Sequence, residues 1–323
     1  MVGLHHVLRA ARAFGPARKF PTGDDPRVSD GLLFPVFQPK FPFTFEGSTV
    51  FTIGSCFARN IEAVLAPKGV NLPTMDFQVP PEEYPYRNNG VLNEYNPGTM
   101  NQRILHALSG KDFPEGTIVP ISDDKVADVL LPGACEPVTY ERAVQRRREI
   151  AEIYRQLASA DLVIITLGLV EVWYDTDTQM YLNAMPPLRF AEKNKARYHF
   201  RRLDVFECVR LMEEAIEALT SAGPKVLLTV SPVPLQTSFV GKDCILANEF
   251  SKSVLRVTAE RLAGRPNVEY FPSYEIVRSG GLSAFIEDHV HVKPAVVQRV
   301  TDYMLNAYMQ PETDVPTAAS VAD

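Results

Sequence analysis

Short runs of consecutive apolar residues alternate along this chain with longer stretches in which apolar residues recur every three or four positions. Residues 50–53, 161–167, 225–230 and 268–271 are dense enough to be strands, and the second and third have the near-continuous apolar character of strands buried on both faces. Residues 141–158 put Val144, Ile150, Ile153, Tyr154 and Leu157 on one side of a helix; residues 205–221 do the same with Val209, Leu211, Met212, Ile216 and Leu219. Further helices are expected from Asn60, over 99–108, over 247–262, and after His291 through Val296, Val297, Val300, Tyr303, Met304 and Tyr308. Strands alternating with helices predict an α/β fold: a mostly parallel sheet covered on both sides. The alternation sets Gly54, Gly168, Ser231, Tyr274 and Asp288 near strand ends, and the carboxyl edge of such a sheet is where ligands bind.

The regions between these elements divide the chain. Residues 20–48 carry Pro35, Phe37, Pro39, Phe41, Pro42 and Phe43, and exposed aromatics at that density are unfavourable in water. Residues 1–48 therefore read as an arm packed on the body. One α/β domain is expected over 49–310, with a loop-rich insertion at about 73–140, and a flexible tail over 311–323. The insertion holds Pro80-Pro81, Asn88-Asn89-Gly90 and Asn96-Pro97-Gly98, which favour turns. Long ordered loops in a compact domain tend to be functional, so it reads as a lid or substrate wall. The first 19 residues form a basic amphipathic stretch, expected to pack on the domain or touch a partner; its apolar run is too interrupted for a signal core or a membrane span.

The first candidate for chemistry is Gly54-Ser55-Cys56-Phe57-Ala58, where a strand hands over to a helix. Glycine permits a tight turn and a close backbone approach. A helix N-terminus presents free N–H groups and partial positive charge, which favours a thiolate and predicts a lowered pKa for Cys56. Ser55 is a second possible nucleophile; read structurally, it caps the helix and Cys56 is a buried small side chain. The second candidate is Asp288-His289-Val290-His291. A carboxylate three residues before a histidine can hold Nδ1–H and leave Nε2 free as a base, with His289 as the competing ring.

The string Gly-Ser-Cys-Phe-Ala, followed by Arg59, resembles the signature of the GSCFA domain family. The stretches 166–173, 229–234, 270–275 and 288–291 are also similar to that family, so the resemblance runs from about 49 to about 292. The family resembles the SGNH, or GDSL, hydrolases. That resemblance implies a three-layer α/β/α domain with a flavodoxin-like sheet, a nucleophile in the Gly-Ser-Cys turn, and acid and base from the late Asp-x-x-His. Carried across, Ser55 takes the place of the aspartate and Cys56 that of the nucleophilic serine. Where the SGNH pattern has Gly-x-Asn-Asp, this chain reads Gly168-Leu169-Val170-Glu171, with no asparagine. Oxyanion donors are then sought in the Cys56 and Gly168 backbone and in Asn93, Asn96 or Asn101. Glu171, Trp173, Ser231 and His289 complete the substrate-side candidates.

The expected activity is acyl transfer through a covalent intermediate, by an esterase or O-acyltransferase with a Cys (or Ser)-His-Asp triad acting on a carbohydrate or related acylated small molecule. The alternative is a non-catalytic SGNH-like module that binds carbohydrate or protein. With 33 basic and 39 acidic residues, the charge of −6 gives no case for nucleic acid. Four cysteines without a Cys-x-x-Cys pair suggest neither zinc nor a disulfide framework, and fit a cytoplasmic setting. There is no Walker loop or Gly-x-Gly-x-x-Gly, so no cofactor is expected, acyl-CoA being a candidate donor. A locally basic stretch, 192–202, could meet a phosphate, CoA or an acidic glycan, although a solvated face is the plainer explanation. The sequence leaves substrate, acyl acceptor and oligomeric state open.

Overall fold

The four apolar runs form one parallel sheet in the computed structural model, which describes residues 3–309. The strands are β1 (Val50–Gly54), β2 (Leu162–Leu167), β3 (Lys225–Val230) and β4 (Val268–Tyr270), hydrogen-bonded in the order β4-β3-β2-β1. On the outer edge of β1, Val50 N–H donates to Asn71 (2.9 Å) and Asn71 N–H to Ser48 (2.8 Å). This stub gives the doubly wound order 2-1-3-4-5, so the flavodoxin-like expectation holds.

Strands buried on both faces need a layer of helices on each side. Phe51, Ile53, Val163, Ile165, Leu167, Val226 and Leu228 meet α2 (Pro97–Ser109), α3 (Tyr140–Arg155), α4 (Val205–Ala222) and α5 (Cys244–Leu262). Val50, Leu162, Ile164 and Leu227 meet α1 (Cys56–Leu65), α6 (Ser273–Ser279) and α7 (Pro294–Met309). Phe41 and Phe45 of the N-terminal segment are buried in this second layer, where Phe41 lies tilted against Tyr308 and Phe45 meets it edge-on. Backbone contacts hold that segment, among them Leu33 N–H on Ser279, Lys40 N–H on Glu269, and Lys225 Nζ on the Pro42 carbonyl.

The insertion contributes more than loops. Met100 and Ile104 of α2 are fully buried against the sheet, and Asn96 caps that helix by accepting the Thr99 N–H. Two features were not visible in the apolar pattern. One is a hairpin, Ile118–Pro120 with Val126–Asp128; the other is an antiparallel sheet, Met180–Leu182, Glu171–Asp175 and Tyr198–Arg202. That sheet absorbs much of the basic stretch, because Arg197 pairs with Asp175 (2.6 Å) and Arg201 with Glu207. The tail expected over 311–323 lies outside the described residues. Among those described, no helix is long and apolar enough to cross a membrane.

Candidate active site

Register places the site. Gly54 pairs with Thr166 and Leu167 with Val230, so three chain turns, at 54–56, 168–170 and 231–234, leave the sheet side by side. Gly54 has φ +152, and a Cβ there would lie 2.7 Å from the Thr166 Cβ and 2.8 Å from its carbonyl oxygen. No other residue fits. A Cβ on Gly168 would lie 2.5 Å from the Tyr95 carbonyl oxygen, so the insertion approaches the second turn as closely as backbone can.

Ser55 is the N-cap of α1 and Cys56 its first residue. The Ser55 side chain is buried, with its hydroxyl 3.3 Å from that of Ser231, which in turn accepts the Val233 N–H. A buried pair anchors the helix beneath this turn. Arg59 meets Glu62 at 2.6 Å and donates to the Thr52 carbonyl, while Glu62 accepts from Thr74 and Asn89. The turn is thereby tied to both β1 and the insertion.

At the other end of the chain, the Phe285–Val292 bridge closes a tight loop in which His289 takes a left-handed conformation, φ +55. Asp288 folds back over it. One carboxylate oxygen accepts the N–H groups of Val290 and His291 at 2.9 Å each, and the other lies 2.5 Å from the His291 Nδ1. These donors hold the Asp288 carboxyl down at about 2. Asp288 is thus paired with His291 and not with the exposed His289.

Cys56 and His291 line one cleft of about 710 Å³, together with Ser55, Arg87, Asn93, Gly168 and Ser231. Cys56 is half-buried. Burial pushes its thiol up, against the downward pull of the Ser55 hydroxyl, the Arg87 guanidinium and the N–H groups of Phe57 and Cys56 itself. The lowering expected from the helix terminus is present in direction but outweighed by desolvation. Burial thus favours the neutral form of the Cys56 thiol.

The three asparagines separate. Asn93 is buried on the cleft wall, and its Oδ1 has no partner. Asn96 is occupied as the α2 cap, and Asn101 donates to the Leu211 carbonyl of α4. Glu171 and Trp173 line a smaller recess of about 130 Å³ that shares Tyr95, Leu169, Leu235 and Thr237 with the cleft. There Glu171 accepts from Ser238 and the Phe239 N–H, and Trp173 packs edge-on to Phe239. All peptide bonds of the Ser231-Pro232-Val233-Pro234 turn are trans.

Sequence reasoning missed Lys252. It lies on α5, 2% exposed, and donates to the Gly168 carbonyl at 2.7 Å, while the neighbouring Ser251 accepts the Val170 N–H at 3.0 Å. Burial lowers its ammonium to about 7, against the opposing pull of Cys56 and Glu249. Flanked by Ser251 and Ser253, Lys252 carries no local sequence signal that marks it. The cleft walls also carry the aromatic rings of Tyr84, Tyr86 and Tyr95. Among the described residues, no group of three or more His, Cys, Asp or Glu is arranged to hold a metal.

Comparison with known proteins places these features in a family. The model of the GSCFA family matches residues 49–303. Among solved structures, a catalytic mutant of Axe2, an acetylxylan esterase from Geobacillus stearothermophilus, is 14% identical at a TM-score of 0.34, covering 82% of this chain and 95% of that one. A carbohydrate esterase family 3 protein from Talaromyces cellulolyticus is 11% identical at a TM-score of 0.29, covering 81% and 96%. Comparison with curated proteins gives no match.

Proposed function

The chain belongs to the GSCFA family, and from its cleft we propose that it is an acyl-ester hydrolase or O-acyltransferase working through a thioester on Cys56. The observation that carries this reading is the presence of Cys56 and His291 on one cleft, with Asp288 on the far nitrogen of that imidazole. The cleft thus carries the three kinds of group that nucleophilic catalysis uses: a thiol, an imidazole, and a carboxylate that orients the imidazole.

His291 Nε2 takes the proton from Cys56 Sγ as the sulfur attacks the acyl carbonyl carbon. The carbonyl oxygen becomes an oxyanion, held by the free N–H groups at the start of α1 and by the amide of Asn93. Collapse expels the alcohol, which receives the proton from His291, and leaves the acyl group on sulfur. Water or a second hydroxyl then attacks the thioester, giving up its proton to His291. Collapse returns the proton to the thiolate. Asp288 stays ionised throughout and stabilises the imidazolium.

Lys252 acts as a positioning residue. It fixes the Gly168 carbonyl from below and adds positive charge under a turn beside which negative charge develops. Aromatic walls at Tyr84 and Tyr86 favour a ring-shaped polyol substrate, since sugar faces pack on aromatic side chains. Ser55 is a poorer nucleophile because its hydroxyl is buried against Ser231.

Incubation with p-nitrophenyl acetate followed by intact-protein mass spectrometry tests the proposal. An acetyl adduct that maps to Cys56, disappears in Cys56→Ala and accumulates in Asp288→Asn supports it. Undiminished turnover by Cys56→Ala overturns it.

A further inference from the structure

The first helix, Leu4–Ala13, has no buried residue. Leu4 is 74% exposed, Val7 51%, Leu8 48% and Phe14, its C-cap, 51%. At about 100° per residue, Leu4, Val7, Leu8, Ala11 and Phe14 fall within roughly a third of the circumference. His5, His6, Arg9 and Arg12 occupy the opposite arc. The helix is therefore amphipathic with its apolar face in water, an arrangement that a folded domain ordinarily removes by packing. The stretch was expected to pack on the domain or touch a partner, and no residue of its helix is buried.

Charge indicates what covers it. Arg9, Arg12, Arg18 and Lys19 precede the first acidic residue, Asp24, in a chain whose net charge is −6. The segment after the helix is pinned: Arg27 donates to the carbonyls of Ala17 (3.1 Å) and Lys19 (2.8 Å) while pairing with Asp25 at 2.7 Å. Phe20, 84% exposed, extends the apolar surface beyond the helix. An apolar stripe flanked only by basic side chains, on a body of net negative charge, is complementary to an anionic bilayer surface and opposed in sign to the rest of its own chain.

We propose that residues 4–20 form a membrane-surface anchor, with Leu4, Val7, Leu8 and Phe14 seated at the acyl boundary of an anionic bilayer and the arginines on its lipid phosphates. The helix lies in the interface and does not span it, being ten residues long. The inference is independent of the chemistry of the cleft.

Co-sedimentation of the full chain with vesicles of phosphatidylglycerol and phosphatidylcholine, against phosphatidylcholine alone, tests it. Binding to the anionic vesicles is expected, weakening at least tenfold between low and 0.5 M salt. Leu4→Glu/Leu8→Glu and Arg9→Glu/Arg12→Glu should each reduce partitioning at least tenfold without shifting the thermal unfolding midpoint, because neither pair contacts the core. Equal binding to both vesicle types, or no binding at low salt, overturns the anchor. So does a dimer in sedimentation velocity that Leu4→Glu/Leu8→Glu dissolves without any vesicle binding, which would assign the face to a second copy of the chain.

Discussion

Asp288 grips His291 twice, with one carboxylate oxygen 2.5 Å from the ring Nδ1 and the other accepting the His291 backbone N–H at 2.9 Å. The ring is thereby fixed in orientation before any substrate arrives, even though both side chains are over 40% exposed. Asp288→Asn keeps a hydrogen-bonding side chain but loses the charge that stabilises the imidazolium and selects its tautomer. Its kcat on an activated ester should fall about 10²–10⁴-fold with KM little changed. The Asp288 carboxyl titrates near 2, below its ordinary value, so its contribution is present above about 4 and is lost only as pH falls through 2. Loss of activity between pH 7 and 5 must accordingly come from other groups, and a pH–rate profile of Asp288→Asn that keeps the wild-type shape would agree.

Cys56 should behave as a guarded thiol. Because burial raises it above the ordinary thiol range, alkylation by iodoacetamide should be slow near neutral pH and accelerate on the alkaline side. The Arg87 guanidinium acts in the other direction, so Arg87→Met should slow alkylation further at every pH. Rate constants from mass spectrometry between pH 6 and 10 decide this. Fast, pH-independent labelling at neutral pH would show a preformed thiolate and contradict the neutral form that burial favours.

How far the sequence reaches is visible in three places. The sheet was legible because its strands are buried on both faces and so consist almost wholly of apolar residues. The edge sheet at 171–202 was not, since its strands mix Arg, Glu and aromatic side chains and are stabilised by pairs such as Asp175 with Arg197 that spacing does not reveal. In the site, Cys56 and the Asp288–His291 pair could be named from local motifs. Lys252 could not, because its role depends on α5 crossing beneath a turn 84 residues earlier. The pKa of Cys56 was misjudged for a related reason: helix-terminus charge is local and readable, whereas desolvation depends on the walls that other segments build.

Asn93 is the cleft-wall asparagine that the proposed mechanism uses in place of the one missing from the 168–171 turn. It is 4% exposed, on the cleft, and leaves an amide atom without a partner. The unpaired atom is Oδ1, an acceptor that a substrate hydroxyl would complete by donating to it, while Nδ2 of the same amide is the group that would donate to a developing oxyanion. Asn93→Ala should lower kcat about 10²–10³-fold. Asn96→Ala should chiefly lower the thermal midpoint through loss of the α2 cap, by about 1 kcal/mol. Kinetics and thermal melts on the two variants separate the roles, and equal effects on both readouts would remove Asn93 from the mechanism.

Lys252→Met separates stability from activity. A buried cation bonded to one carbonyl is a poor stabiliser, and methionine retains most of its volume. Its folded-state pKa, lowered to about 7, means that the folded protein is penalised once the unfolded chain takes up this proton, increasingly from pH 10.5 down to 7 and fully below. Lys252→Met should therefore be more stable than wild type by about 1–3 kcal/mol at pH 7, with the difference vanishing above pH 10. Its kcat should drop at least tenfold while KM changes little. Denaturant midpoints at several pH values, alongside steady-state kinetics, would reveal a merely structural lysine as one whose loss harms stability and spares kcat.

Glu269 offers a test of how the N-terminal segment is held. The carboxyl is 1% exposed on the edge strand β4; one oxygen accepts the Lys40 N–H at 2.9 Å and the other has no partner. Burial raises it to about 7, against the pull of Lys40 and Lys225. The folded protein keeps this proton up to about pH 7, whereas the unfolded chain gives it up near 4.5, so the contribution is complete below 4.5 and lost as pH rises through 7. Glu269→Gln preserves an acceptor for Lys40 and removes the charge. It should be near neutral in stability at pH 4.5 and more stable than wild type by about 1–3 kcal/mol at pH 8. Urea midpoints for both proteins across that interval should diverge; parallel curves would mean that the carboxylate is solvated by movement of the 37–43 segment, and limited proteolysis at pH 8 would then cut wild type there and spare the variant.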